Sequence, residues 1–408
     1  MRLLDDIVLA RPQIQAIRRD IHAHPELRFA EHRTSEIVAS TLKAWGVEVH
    51  RGIGGTGLVG VIRGSGAGSI DATGAIAARS IGLRADMDAL PIQEANEFAH
   101  RSKHAGCMHA CGHDGHTAML LAAARHLAQA PNFAGTVVLI FQPAEEGGAG
   151  AQKMIDDGLF ERFPCDAVFA IHNWPGLAVG TLGVADGPVM ASTSEFEIRV
   201  EGRGAHAAMP DLGVDPIFVA VQIAQGLQAL VTRVKRPIDS AVLSITMIHA
   251  GEATNVIPDT ATIGGTVRTF SDGVTALIEE GMRRIAQATA QAHQASAQVR
   301  FERNYPPTVN HPREAQFAAT VGEEVLGPDK VLRDVDPTMG AEDFSFMLQC
   351  RPGAYLFLGN GMSGGAHRSA GHGAGPCTLH NASYDFNDEL ISIGASFWVR
   401  LVERFLSE

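Results

Sequence analysis

Positive charge is in short supply in this chain. Its 33 Lys and Arg stand against 45 Asp and Glu, a formal net charge of −12. Phosphate backbones are gripped by clustered Lys and Arg, so nucleic acid is not an expected partner. Long apolar runs are missing as well: none reaches the ~18 residues of a membrane span, and no membrane partner is expected. The opening residues Met1-Arg2-Leu3-Leu4-Asp5-Asp6 turn acidic too soon for a secretory signal. Cysteine is sparse. The five thiols (Cys107, Cys111, Cys165, Cys350 and Cys377) are odd in number and scattered. That argues against a disulfide framework and fits a reducing cytoplasm. Internal repeats and long charged tails do not occur. What is present is a 408-residue chain, 45% apolar, with the composition of a soluble globular protein. It is too long for one ordinary core and points to two domains, one interrupting the other.

The hydrophobic pattern predicts helices over 14–21 and 34–45, the second ending at Gly46, and strands over 47–50 and 58–62. Residues 64–74 are rich in Gly, Ser and Ala and read as a surface loop. The stretch 75–84 leads into Ala85-Asp86-Met87-Asp88, a buried strand ending in two acids. Residues 117–128 are apolar on nearly every side, a buried helix. The runs 137–141 and 167–171 are continuous and rich in β-branched and aromatic residues, as in parallel strands covered on both faces. The pattern changes near Val189. Phe196, Ile198 and Val200 alternate with charged neighbours, a half-exposed antiparallel strand. Helix 216–234, strands 241–248 and 260–269, helix 274–293 and strand 298–303 follow. The order β-α-β-β-α-β describes a ferredoxin-like unit. The expected domains are therefore 1–187, 188–302 and 303–408, the first and third forming one larger α/β domain. A helix over 390–405 completes it, and the glycine-rich run 361–367 reads as loop.

Residues 108–116 hold one thiol, three imidazoles and a carboxylate, broken by two glycines: Met108-His109-Ala110-Cys111-Gly112-His113-Asp114-Gly115-His116. That makes poor core but a good loop for a soft or borderline metal. Asp86/Asp88, Glu145/Glu146 and His172 each follow a buried strand, and ligands of open α/β sheets bind at the carboxyl ends of strands. His380 lies in another polar, turn-forming stretch. Read singly, each has an ordinary alternative. A lone Cys is usually a small buried hydrophobe. Adjacent glutamates usually open a helix. His109 and His116 fit either ligand orientation or loop polarity, and His22, His24, His32, His100, His104 and His126 read as surface or core histidines. Two functional rivals stand beside a metal enzyme: a cysteine hydrolase with Cys111 as nucleophile, and a binding protein with a vestigial metal site.

An ordered set of motifs carries a resemblance. It comprises Asp20-Ile21-His22-Ala23-His24-Pro25-Glu26-Leu27, Gly82-Leu83-Arg84-Ala85-Asp86-Met87-Asp88-Ala89-Leu90-Pro91, the 108–116 run, Gln142-Pro143-Ala144-Glu145-Glu146-Gly147 and His172-Asn173-Trp174-Pro175. It continues with Gly204-Ala205-His206-Ala207-Ala208-Met209-Pro210, Asn255-Val256-Ile257-Pro258-Asp259, Gly265-Thr266-Val267-Arg268 and Gly340-Ala341-Glu342-Asp343-Phe344-Ser345. From about residue 14 onward the chain resembles the hippurate hydrolase and indole-acetyl-amino-acid hydrolase family of metal-dependent amidohydrolases, within the aminoacylase and carboxypeptidase-type di-metal superfamily. The resemblance implies an α/β fold: a di-metal aminopeptidase-like catalytic domain with a central mixed sheet, interrupted by a ferredoxin-like α+β lid and dimerisation domain. It implies two divalent ions, Zn, Mn, Ni or Co. Cys111 would bridge them, with His113 and Glu146 completing one sphere and His172 and His380 the other. Glu145 would be the base and Asp88 an orienter of the site; Asp86 stays open. His206 would polarise the scissile carbonyl or hold the tetrahedral oxyanion, with a reach to the partner subunit's site as one option, and Asn255 and Arg268 would bind the substrate carboxylate. The implied reaction is hydrolysis of an N-acyl amino acid by a homodimer or tetramer, with a dipeptidase or carboxypeptidase-like activity as the alternative. One position departs from the pattern. Asp211 stands where many relatives carry a second histidine, which puts that histidine's substrate contact in doubt.

Overall fold

The computed structural model describes residues 1–66, 69–70, 76–77, 79–362, 368 and 371–407. Of the two loops expected over 64–74 and 361–367, residues 67, 68, 71–74 and 363–367 lie outside that set. Within the first, Ser69–Ile70 pairs antiparallel with Ile76–Ala77. The chain divides into two compact units. One comprises Met1–Gly187, Val309–Asp336 and Phe346–Glu408; the other comprises Pro188–Thr308 and Pro337–Ser345.

The larger unit is built on an eight-stranded mixed sheet, in the order Glu48–Arg51, Leu58–Arg63, Thr136–Gln142, Ser80–Asp86, Ala167–Pro175, Gly353–Gly361, Leu182–Gly183, Val331–Leu332. The four central strands run parallel, and an antiparallel pair flanks them on one side. Thr136–Gln142 is buried from Val137 onward, as its unbroken apolar sequence requires of a strand covered on both faces. The helix His113–Gln129 is buried on nearly every side and packs against Asp5–Ala23 and Glu389–Ser407. Asp5–Ala23 starts nine residues before the expected helix and contains Pro12. Pro12 is the eighth residue of the helix, where its missing N–H removes the bond to the Val8 carbonyl, and buried Ile7 ties the added turns to the core.

The smaller unit carries a four-stranded antiparallel sheet, in the order Ala241–Ala250, Thr260–Thr269, Thr193–Glu201, Ser296–Tyr305. Two helices, Pro216–Ala229 and Asp272–Ala292, cover one face. Asp215 caps the first through the Ile217 amide (2.9 Å), and Ser271 caps the second through that of Val274 (3.2 Å). Phe196, Ile198 and Val200 point into a core with Val219, Ile223, Ile278 and Met282, while Glu195, Glu197, Arg199 and Glu201 face outward. The topology is ferredoxin-like.

Three expectations need correction. The boundary at 302/303 falls inside Ser296–Tyr305, which pairs with Thr193–Glu201 along its whole length and so stays with it. Residues 337–345 also belong to the smaller unit, held by Thr338 N–H to Val189 O (3.0 Å) and Ala191 N–H to Gly340 O (2.9 Å). Finally, Pro216–Val234 is, by length and composition, apolar enough to cross a membrane. Its Val219, Ala220, Ile223, Leu227 and Leu230 are nevertheless spent on this unit's core.

Candidate metal centre and active site

Parallel strands end on a common edge. That edge gathers Asp86 and Asp88, Glu145 and Glu146, and His172. The thiol loop arrives from the side. Gly112 caps the helix His113–Gln129 at φ +94°, a conformation that favours glycine. A Cβ there would also lie 2.3 Å from Asn173 Nδ2.

The imidazoles are fixed so that one nitrogen of each stays available. His172 Nδ1 donates to the Asn173 carbonyl (2.6 Å), which leaves Nε2 at 3.3 Å from Cys111 Sγ. His113 Nδ1 lies 2.9 Å from the Asp88 carbonyl and 3.2 Å from its Oδ1. His113 Nε2 is buried, with no hydrogen-bond partner among the described residues. His380 adopts a left-handed φ of +60°; its N–H donates to Ala110 O (2.8 Å), and its Nε2 lies 3.1 Å from Glu146 Oε1.

The donor atoms of Cys111, His113 and His172 lie within 4.8 Å of one another, and so do those of Cys111, Glu146 and His380. Cys111 is common to both groups, the arrangement a bridging thiolate needs. His172 lies with Cys111 and His113, and Glu146 with Cys111 and His380. His113, Glu145 and Glu146 form a third such group.

Electrostatics fit a cation here. Burial pushes the Cys111 thiol above its ordinary value, against the pull of His113. A buried neutral thiol is a poor nucleophile, whereas a coordinating thiol is deprotonated outright. Burial and neighbouring His116 hold His172 well below its usual value, in the neutral form that ligates. His380 is raised by Cys111 and then by Glu146; this anionic corner favours positive charge, proton or cation. The unpartnered His113 Nε2 and the Glu146 carboxylate belong to the same cluster. The donor set therefore suits divalent metal.

Two buried carboxylates grip the turn that carries the glutamate pair. Glu31 accepts the Ala144 N–H (2.9 Å), and Asp88 accepts the Glu146 N–H (2.9 Å). Ala144 is held at φ 53°, ψ 44°, and Glu145 beside it is buried. Asp88 thus touches the His113 ring and the Glu146 amide at once. Asp86 instead pairs with Arg84 (2.7 Å) and with His116 Nδ1 (2.6 Å). His109 is buried, and neither of its ring nitrogens finds a partner among the described residues. Sequence reasoning missed Glu31, and no periodicity marks it. It also took His22 for an ordinary histidine, whereas His22 joins Arg18, Glu94 and Asp114 in a buried ionic cluster.

His206, Asn255 and Arg268 belong to the smaller unit. His206 is exposed on the strand Ala205–His206, paired with Val256–Ile257, and the Ala207 N–H to Asn255 O bond (3.0 Å) brings Asn255 beside it. Arg268 is half-buried on Thr260–Thr269, on the face away from the helices. Burial lowers its pKa against the pull of Glu195. Asp211 lies in the turn Pro210–Leu212, exposed.

Thiolate and imidazole donors at the carboxyl ends of parallel strands, with a buried carboxylate beside them, define a metal-dependent hydrolase. Residues 82–404 match Peptidase family M20/M25/M40, and the chain belongs to that family. Hippurate hydrolase of Campylobacter jejuni is 40% identical over 406 residues, covering 100% of both chains. IAA-amino acid hydrolase ILR1-like 4 of Arabidopsis thaliana is 38% identical over 397 residues, 96% of this chain and 85% of that one. Among solved structures, the YXEP protein of Bacillus subtilis, described as a dinuclear metal binding peptidase, superposes with a TM-score of 0.82 at 33% identity. That match covers 97% of this chain and 98% of the other.

Proposed function

We propose that this hydrolase cleaves the amide bond of N-acyl amino acids bearing a free carboxylate, releasing the amino acid and a carboxylic acid. The acyl group would be hippurate-like, auxin-conjugate-like or acetyl. Cys111, His113, Glu146, His172 and His380 would hold two divalent ions drawn from Zn, Mn, Ni and Co. The observation that carries the reading is Cys111 standing in two donor groups at once, with Glu145 buried beside them. When bound, such ions supply Lewis acidity and make water acidic near neutral pH. Glu145 takes the proton of the attacking water and hands it to the leaving amine. Glu31 and Asp88 fix the turn from which it works. His206 faces the developing oxyanion, and Asn255 and Arg268 take the substrate carboxylate, for which a guanidinium fork is well shaped. The enzyme works in the cytoplasm as a homodimer or tetramer assembled through the smaller unit, which also serves as a lid.

The test is a panel of N-acyl amino acids and dipeptides, assayed with metal-reconstituted enzyme. Turnover should vanish on exhaustive chelation and return with metal. Activity that survives chelation but dies with a thiol alkylator would establish the cysteine-hydrolase rival instead. Binding without turnover across the panel would establish the binding-protein rival, and exclusive turnover of dipeptides a dipeptidase.

A further inference from the structure

We infer that Asn173 and Tyr384 are positioning residues of the metal centre, a pair that locks the loop carrying Cys111 to the loop carrying His380. The inference rests on the metal reading above. Asn173 follows His172 at the end of its strand and is fully buried, as is Tyr384. Its side-chain amide donates to the Cys111 carbonyl (2.7 Å) and toward His116 Nε2 (3.0 Å), while its carbonyl oxygen accepts the Tyr384 hydroxyl (2.6 Å). Both amide protons are thereby used, and the oxygen is engaged.

The line continues inward. His116 Nε2 also accepts the Asn173 backbone N–H (3.0 Å), so its proton sits on Nδ1, facing Asp86 (2.6 Å). Arg84 holds Asp86 from the far side (2.7 Å). Arg84, Asp86, His116, Asn173 and Tyr384 form one buried hydrogen-bonded chain that reaches both loops. His116 is thus part of the support, and Asp86 gains a role that its place at a strand end left open.

The hydroxyl of Tyr384 decides which way Asn173 faces. Without it, Asn173 Oδ1 loses its partner and the amide is free to turn. Turned, it would set its oxygen against the Cys111 carbonyl, two acceptors facing one another. The fit is tight: a Cβ on Gly112 would stand 2.3 Å from Asn173 Nδ2 and 2.4 Å from the Tyr384 hydroxyl. Four residues before Tyr384, His380 keeps its left-handed φ of +60°. Strain of that kind persists where the surroundings over-determine it. Here the restraints are His380 N–H to Ala110 O (2.8 Å), Tyr384 N–H to Asn381 O (2.9 Å) and the Tyr384 hydroxyl on Asn173 (2.6 Å).

Tyr384→Phe deletes one oxygen and keeps the ring. Cobalt(II) is the probe, read by its thiolate charge-transfer band and by chelator competition, beside the Tm of the metal-free protein and the alkylation rate of Cys111. The variant should bind cobalt(II) ~10–100-fold more weakly, the range for lost outer-sphere partners. Its charge-transfer band should shift, its loaded Cys111 should react faster, and its metal-free Tm should fall by only a few degrees. If Tyr384→Phe does not fold, Asn173→Asp, which keeps the shape but removes both donors, carries the same expectation. A variant with the parental affinity and band overturns the inference, as does a drop in Tm with no change at cobalt(II). A parent protein that gives no thiolate band would instead overturn the metal reading beneath it.

Discussion

Cys111 sits where burial raises its pKa and where two donor groups meet. These facts constrain one another. Burial keeps the free thiol protonated at neutral pH, and a bound cation replaces that proton and engages the thiolate's lone pair. At alkaline pH, where the free thiol ionises, iodoacetamide should therefore modify Cys111 slowly while metal is bound and quickly after chelation, as followed by peptide mass spectrometry; equal rates would remove Cys111 from the donor set. Glu145 is separable from the donors. Glu145→Gln should keep metal affinity and lose kcat by ~10²–10⁴-fold, the usual share of a positioned base; turnover near the parental rate would assign the proton transfer elsewhere. The donors themselves were legible in the sequence because thiol, imidazoles and carboxylates stood at strand ends or among glycines, places where core packing gives no reason for them. The ring orientations of His172 and His113 were not legible, since they depend on the Asn173 carbonyl and Asp88. Nor was Glu31, whose acceptor role joins residues 113 positions apart.

The helix Asp5–Ala23 shows what element-level reading reaches and where it stops. Its apolar spacing is evident from Ile14 onward, but its interior face also buries Arg18 and His22, which no amphipathic pattern would place inside. Tertiary pairing makes it possible. Arg18 meets Asp114 at 3.1 Å and Asp388 at 2.7 Å. His22 meets Asp114 at 2.9 Å and Glu94 at 3.3 Å. Burial alone would lower the His22 pKa, but Asp114 and then Glu94 outweigh it and raise it from 6.5 to about 9. A raised value means the folded state binds the proton more tightly, so this stabilisation is complete below pH 6.5 and is lost as pH rises through about 9. The rise corresponds to roughly 3 kcal/mol at most. Denaturant midpoints should therefore fall between these limits, and His22→Gln should be less stable at pH 6 with a flatter slope to pH 9. Parallel slopes for the two proteins would show that His22 does not carry the dependence.

At the scale of the whole molecule, the change of pattern near Val189 was visible because a half-exposed strand alternates where a buried parallel one does not. The return of residues 337–345 to the smaller unit was invisible, being set by three backbone hydrogen bonds, one to the Val189 carbonyl and two from the Ala191 N–H. The surface of that unit also bears on assembly. Ala241–Ala250 is an edge strand whose exposed side chains include Val242, Met247 and Ile248, and Pro216–Ala229 exposes Ile217, Phe218 and Val221. An unpaired edge with apolar side chains invites pairing with a second chain. Ile248→Lys should shift the protein toward monomer in sedimentation velocity, and an unchanged distribution would move the interface elsewhere. Assembly through this unit, as proposed, would give the exposed His206 a route to the partner's centre. His206→Ala and Glu145→Gln should each be nearly inactive alone while retaining metal. After verified subunit exchange, each mixed dimer would hold one complete site if His206 acts across the interface, and activity should reappear. If His206 acts within its own chain, neither site of a mixed dimer is complete, and mixing restores nothing.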